Sequence, residues 1–121
     1  MKVKGTPYNF LFLREIYPYL DLIYAKNVSP TARGSNPDKT GFFEVYQEVG
    51  GRPTLLKEIP ATKNTSWFDK RNGYIRRALA GAAAYPPKTR WWKNGEPTRR
   101  HLALIVWAYS PTPKRLNKYT I

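Results

Sequence analysis

Cysteine is absent from this chain of 121 residues, and histidine occurs only once. Without cysteine there can be no disulfide bond, no thiolate metal site and no thiol–disulfide exchange. The one histidine, His101, follows two arginines, which is a poor setting for a metal ligand or a general base. The eight carboxylates include no clustered pair of the kind that glycosidases or metal sites use. We therefore predict a protein that is not an enzyme and has no catalytic residue, metal site or cofactor.

Long apolar runs are also missing. The longest, residues 102–109, is far shorter than the ~20 residues of a membrane-spanning helix. Residues 1–5, Met-Lys-Val-Lys-Gly, resemble neither a cleavable signal peptide nor an amphipathic presequence. We expect no transmembrane span, and import into an organelle through an internal signal stays open.

Positive charge is what the chain has in excess. It carries 21 lysines and arginines against 8 aspartates and glutamates, a formal net charge of +13. Residues 1–58 hold eight basic and six acidic side chains, a net of +2, whereas residues 59–121 hold thirteen and two, a net of +11. Such a field attracts RNA, an anionic lipid surface or an acidic protein. Aromatic residues, at 15%, suit base stacking and protein interfaces equally.

Local patterns at the start of the chain predict a helix and a strand. Thr6-Pro7 is typical of a helix start, with threonine as N-cap and proline in the first turn. Residues 8–17 are therefore expected to be helical, and Pro18 to end the helix. Residues 19–25 are apolar and partly β-branched, which favours a strand.

The middle of the chain predicts a hairpin followed by a helix. Residues 41–49 and 52–59 are expected to pair across a tight Gly50-Gly51 turn. Ser66 and Asp69 then open a helix that runs to about residue 84. One face of this helix would join the core and another would form a basic surface, with Lys70, Arg71, Arg76 and Arg77.

The remaining residues are predicted to form an extension. Asn94-Gly95 is a turn signal, and residues 102–109 are a buried strand or a short helix, which periodicity does not distinguish. We expect two parts: a folded module over residues 1–85 and a basic, aromatic extension over residues 86–121.

Residues 40–45, Thr-Gly-Phe-Phe-Glu-Val, resemble the hairpin of the selenoprotein W/T/H (Rdx) family. The order of predicted elements over residues 8–84 is compatible with that family. The resemblance implies an α+β fold: a thioredoxin-like (Rdx-type) small sheet with a β-hairpin and flanking helices, here with a basic C-terminal extension. The family's redox activity depends on a Cys-x-x-Cys or Cys-x-x-selenocysteine loop, and this chain has no cysteine. No redox residue therefore carries over, and only the scaffold is implied.

Two functions are expected from these observations. The first is a structural, accessory subunit of a mitochondrial respiratory or other energy-converting membrane complex, on the matrix side, in contact with protein subunits or anionic lipid headgroups. The second is a mitochondrial ribosomal protein that binds rRNA through its basic half. Both come from analogy with other thioredoxin-like subunits. The residues predicted to bind partners are Arg76, Arg77, Arg90, Trp91, Trp92, Lys93, Arg99, Arg100, Trp107, Lys114, Arg115 and Lys118.

Overall fold

The structure is a computed structural model that describes residues 1–34 and 40–117. These residues form helices and two small antiparallel sheets of two strands each, so the predicted α+β class is confirmed. Helices α1–α7 span Leu13–Ile16, Leu20–Ala25, Pro30–Arg33, Phe42–Glu48, Trp67–Ala82, Arg99–Val106 and Pro113–Asn117. Strands β1–β4 span Pro60–Thr62, Thr65–Ser66, Trp92–Lys93 and Glu96–Pro97. Three 3₁₀ segments cover Tyr17–Tyr19, Pro53–Glu58 and Pro87–Thr89.

Helix α5 is the long helix of the fold, and its predicted start is confirmed. The hydroxyl of Ser66 accepts a hydrogen bond from the Asp69 backbone N–H at 3.2 Å, so serine caps the first turn. The helix ends at Ala82, two residues before the predicted end. Trp67, Arg71 and Ile75 are buried at four-residue intervals, which places them on one face.

Arg71 lies in the interior, so its predicted place on the basic surface is wrong. Its side chain is 0% exposed, and its guanidinium lies 3.6 Å from the centre of the Phe10 ring. It donates to the carbonyl oxygens of Trp107 (3.1 Å), Ala108 (2.9 Å), Tyr8 (3.2 Å) and Asn9, and to Oδ1 of Asn72 (2.8 Å). These five bonds match the five N–H donors of a guanidinium.

The N-terminal segment is not the predicted helix, and α1 begins only at Leu13. Residues 8–11 instead give their backbone groups to other parts of the chain. Phe10 N–H donates to the Met1 carbonyl at 2.8 Å, and Leu11 N–H donates to the Ala108 carbonyl at 2.7 Å. A helix here would turn these groups toward one another, so the tertiary bonds, including those of Arg71, favour the extended form.

The predicted strand over residues 19–25 is wrong, because helix α2 occupies this segment. The chain does not leave the helical conformation at Pro18. This proline sits near the start of a 3₁₀ turn, where a missing N–H is tolerated, and this turn leads directly into α2. Ile16, Tyr19 and Ile23 are buried, three and four residues apart, a helical rather than an alternating spacing.

The predicted hairpin over residues 41–59 is also wrong. Its first half is helix α4 and its second half is the 3₁₀ segment Pro53–Glu58. Phe42, Val45 and Tyr46 of α4 and its C-cap residue Val49 are buried at positions i, i+3, i+4 and i+7. The hexapeptide that carries the family resemblance therefore enters a helix here.

Gly50-Gly51 ends helix α4 instead of turning a hairpin. Gly50 N–H bonds the Gln47 carbonyl and Gly51 N–H bonds the Tyr46 carbonyl, each at 2.9 Å, which is the Schellman pattern of a helix end. Both glycines have positive φ, at 67° and 69°, a conformation that side chains with a Cβ disfavour.

The predicted Asn94-Gly95 turn is confirmed. Strands β3 and β4 pair Trp92 with Pro97 and Lys93 with Glu96, and both turn residues have positive φ, as a type I′ turn requires. The two alternatives for residues 102–109 are also decided, since α6 covers most of this segment. The Thr98 hydroxyl caps α6 by accepting from the His101 backbone N–H at 3.3 Å.

One hydrophobic cluster contains residues from both predicted parts of the chain. Phe10, Phe42 and Trp67 come from residues 1–85, and Leu102 and Trp107 from residues 86–121. The Trp107 ring stacks on that of Phe42 at 5.1 Å between centres. Residues 86–117 therefore fill the core rather than extend from it, and deleting them would expose apolar side chains of the first part.

Arg71→Lys should lower the free energy of unfolding by at least about 3 kcal/mol. Lysine keeps the positive charge but has three donors on one nitrogen, so it leaves buried carbonyls without hydrogen bonds. The measurement is urea denaturation followed by circular dichroism at pH 7. Arg76→Lys, at an exposed position of the same helix, is the control and should change stability by less than about 0.5 kcal/mol. Equal stability of the two variants would contradict the assigned role of Arg71.

Candidate functional site

A groove of about 490 Å³ lies between α5 and α6, and it is the candidate site. Its volume is in the range of pockets that bind small molecules or parts of larger ligands. Small residues allow the groove: Ala78, Gly81 and Ala82 of α5, and Ala103 of α6. The other lining side chains are aromatic or basic, and they are Tyr74, Tyr85, Trp91, Arg99 and Arg100.

The groove opens at one end of an antiparallel helix pair. Arg71, near the start of α5, binds the carbonyls that follow α6. The groove is lined by the last turns of α5 and the first turns of α6, at the opposite end of the pair. Large aromatic rings fill the closed end, where Tyr74 stacks on Trp107 at 4.6 Å between ring centres. The change from large to small residues along α5 therefore makes the opening.

Arg100 is held in place at the edge of the groove. Its Nε donates to the Arg90 carbonyl at 3.3 Å, and its Nη2 donates to the Thr89 carbonyl at 3.1 Å. The guanidinium lies 3.6 Å from the centre of the Tyr85 ring, which is 47% exposed. Arginine and tyrosine thus form a flat, positively charged surface at the groove. The Arg100 guanidinium uses two of its five N–H groups in these bonds, and the other three can donate hydrogen bonds to an anion.

Arg99 is the second cation of the groove, and it is exposed. Its Nη1 donates to the Lys26 carbonyl at 2.5 Å and its Nη2 donates to the Asn27 carbonyl at 3.1 Å. These carbonyls follow helix α2, so Arg99 joins α6 to the first part of the chain. No carboxylate lies among the described residues that line the groove, which is therefore positive.

His101 supports the groove from inside the core. Its Nδ1 lies 3.1 Å from the Trp91 carbonyl, which can only accept, so Nδ1 carries the proton. Nε2 lies 2.8 Å from the Ser110 hydroxyl and accepts from it. Burial lowers the pKa of His101 to about 4, so the imidazole is neutral at pH 7. The side chain fixes the backbone of Trp91, a groove residue, and both of its nitrogens are engaged.

The structure separates the predicted partner-binding residues into three groups. The first group is exposed and consists of Arg76, Arg77, Lys93, Arg99, Lys114 and Arg115. The second is partly buried around the groove and consists of Arg90, Trp91 and Arg100. The third, Trp92 and Trp107, is buried in the core, so neither ring is available as the partner anchor that the sequence predicted. Lys118 lies outside the described residues.

Arg90 differs from the other cations near the groove. Its Nη2 donates to the carbonyls of Tyr85 at 2.9 Å and Ala83 at 3.3 Å, which follow the end of α5. A cation beside these carbonyls stabilises a helix end. Arg90 therefore has a structural role, whereas Arg99 and Arg100 face a ligand-sized space.

Tyr74, Tyr85 and Ala103 belong to the groove and were missed by the sequence analysis. Tyr74 and Ala78 are four residues apart, so the helical period of α5 already places them on one face, whereas Tyr85 follows the end of α5. The sequence did not show that α6 packs beside them, and a groove needs both walls.

Two further properties concern the described residues only. They contain no group of three or more histidine, aspartate or glutamate side chains placed to hold a metal ion. None of their helices combines the length and the apolar character needed to cross a bilayer.

Comparison of the chain with known protein families, with curated proteins and with solved structures gives no match. The function must therefore be inferred from the groove and from the positive charge of the side chains around it.

Lowering the pH from 7 to 4.5 should reduce the free energy of unfolding by roughly 2–3 kcal/mol through His101. The folded-state pKa is about 4 and the usual value is 6.5. Between these values the unfolded chain binds the extra proton, so stability is full above pH 6.5 and is lost as the pH falls. Urea denaturation at pH 7, 5.5 and 4.5 measures the free energy of unfolding at each pH. His101→Gln should show a smaller pH dependence, and an unchanged one would contradict the assignment.

Proposed function

We propose that this chain is a non-catalytic protein that binds nucleic acid through the basic surface of α5, α6 and the segment between them. The charge of the second half carries this proposal. Residues 59–117 hold twelve lysines and arginines, the thirteen of residues 59–121 without Lys118, against two carboxylates. A surface with so few negative charges of its own suits a polyanion.

Most of these cations are exposed to solvent. Arg71 is the one buried lysine or arginine among the described residues, and its charge is used inside the fold. Arg90 and Arg100 are partly buried at the groove. The exposed cations of this half are Lys63, Lys70, Arg76, Arg77, Lys88, Lys93, Arg99, Lys114 and Arg115. Arg99 uses two of its N–H groups on the carbonyls of Lys26 and Asn27, and its remaining N–H groups, like the other exposed cations, are able to contact phosphates.

Each of the two hairpins adds one exposed lysine to this half of the chain. Each has a Lys-Asn pair at its tip, with Lys63 between β1 and β2 and Lys93 at the end of β3, and both lysines are exposed. Each hairpin leads directly into a capped helix, α5 or α6. The first hairpin adjoins the start of α5 and the second adjoins the start of α6, so each exposed lysine lies next to one of the two helices.

The groove favours nucleic acid over a lipid surface. Aromatic side chains next to arginines can stack on bases, whereas the attraction of basic residues to anionic headgroups depends on their charge. The respiratory-complex subunit, the mitochondrial location and the ribosome remain predictions from the sequence. So do the selenoprotein W/T/H resemblance and the thioredoxin-like scaffold. The nucleic-acid proposal needs none of them, because it depends on the charge of residues 59–117 and on the geometry of the groove between α5 and α6.

Replacing both Arg76 and Arg77 by glutamine should weaken binding of a 20-nucleotide oligonucleotide and reduce the slope of log K against log salt by about 1–2. Each arginine removed from a phosphate contact means that one counterion fewer is released from the oligonucleotide when the protein binds. Fluorescence anisotropy between 50 and 300 mM KCl gives the slope. The control is Lys2→Gln with Arg14→Gln, two exposed cations of the nearly neutral half, which should leave the slope unchanged. Binding to anionic vesicles but not to the oligonucleotide would refute the proposal.

A further inference from the structure

Resting on the proposed function, we propose that the groove between α5 and α6 holds an unpaired nucleobase, with the adjoining phosphate on Arg99 and Arg100. The chain would then prefer single-stranded nucleic acid over a duplex. A base inside a duplex is stacked on both faces and cannot enter a groove, whereas an unpaired base can turn outward into one.

The walls of the groove suit a flat ring. Tyr85 and Trp91 are only partly covered, so both retain surface for stacking. The floor consists of alanine and glycine, whose small size lets a ring approach the helices. Stacking on aromatic side chains depends little on which base is present, because every base has a π face. We therefore expect weak sequence preference at this site.

The two arginines provide a charge that complements a phosphate. Arg100 is held by two carbonyl bonds and by the Tyr85 ring, so little side-chain freedom remains to be lost when an anion binds. Arg99 is likewise anchored by two carbonyls. A base and its phosphate would thus meet a stacking surface and fixed cations at the same place, which a free base or a free phosphate alone would not use fully.

Filling the groove without changing the charge tests this inference. Gly81 lines the groove, and a Cβ added there meets no atom within 4 Å, so Gly81→Leu places a side chain in open space. Ala80→Leu is the matched control, since it adds the same leucine to the neighbouring exposed position outside the groove. Tyr85→Leu is a second variant that keeps bulk at the rim but removes the stacking ring. Circular dichroism and thermal unfolding establish that all three variants fold.

We expect Gly81→Leu and Tyr85→Leu to bind single-stranded DNA and RNA 20-mers roughly tenfold or more weakly than the unmodified chain. Binding of a 20-base-pair duplex and of heparin, which depends on the remaining cations, should stay within twofold. Ala80→Leu should match the unmodified chain for every ligand.

The possible results separate the two proposals. If the unmodified chain binds no nucleic acid, the proposed function itself fails. If it binds single strands and duplex equally, and Gly81→Leu alters neither affinity, the groove proposal is overturned while nucleic-acid binding stands. If an oligoglutamate peptide binds as tightly as the single strand and is lost in Gly81→Leu, the groove takes an acidic protein segment, and the base-binding proposal is overturned as well.

Discussion

The hydrogen bonding of Arg71 is the interaction on which the rest of this structure depends. One guanidinium, carried by α5, joins this helix to the N-terminal segment and to the turn that follows α6, by bonds to backbone carbonyls of the latter two parts. Burial lowers the pKa of Arg71 to about 9, which leaves the group charged at pH 7. The carbonyl oxygens at the negative end of α6 compensate this charge, and none of the five hydrogen bonds that Arg71 donates goes to a carboxylate.

This buried contact also explains where the groove lies. Arg71 holds α5 and α6 together at one end of the pair, where Tyr74 and Trp107 fill the space between them. At the other end the facing residues are alanines and glycine, which cannot fill the same distance. The opening therefore follows from two helices at a fixed separation and from a decrease in side-chain size along them. His101 then fixes Trp91 at its edge.

The charge of the surface and the structure of the core are linked through stability. Nine exposed cations in residues 59–117, with two carboxylates, repel one another and oppose the folded state. On the proposed function, a polyanion that binds the folded surface more tightly than the unfolded chain would reduce this repulsion and stabilise the fold. The buried network of Arg71 and the aromatic cluster must hold the fold without a ligand. On the proposed function, the interior of the chain holds the fold and the exposed cations bind the ligand, with Arg100 at the boundary.

The sequence by itself determined the features that depend on neighbouring residues: the Ser66 cap and helix α5, the Asn94-Gly95 turn, and the accumulation of charge after residue 58. Tertiary structure decided the rest, because the same local sequence pattern is compatible with more than one local structure. Gly50-Gly51 can turn a hairpin or end a helix, and the buried face of α4 selects the second. A cation in a helix is predicted from the sequence to lie at the surface. Only the carbonyls that surround Arg71 make its burial favourable. The groove could not be predicted at all, since its walls come from helices whose packing no local pattern specifies.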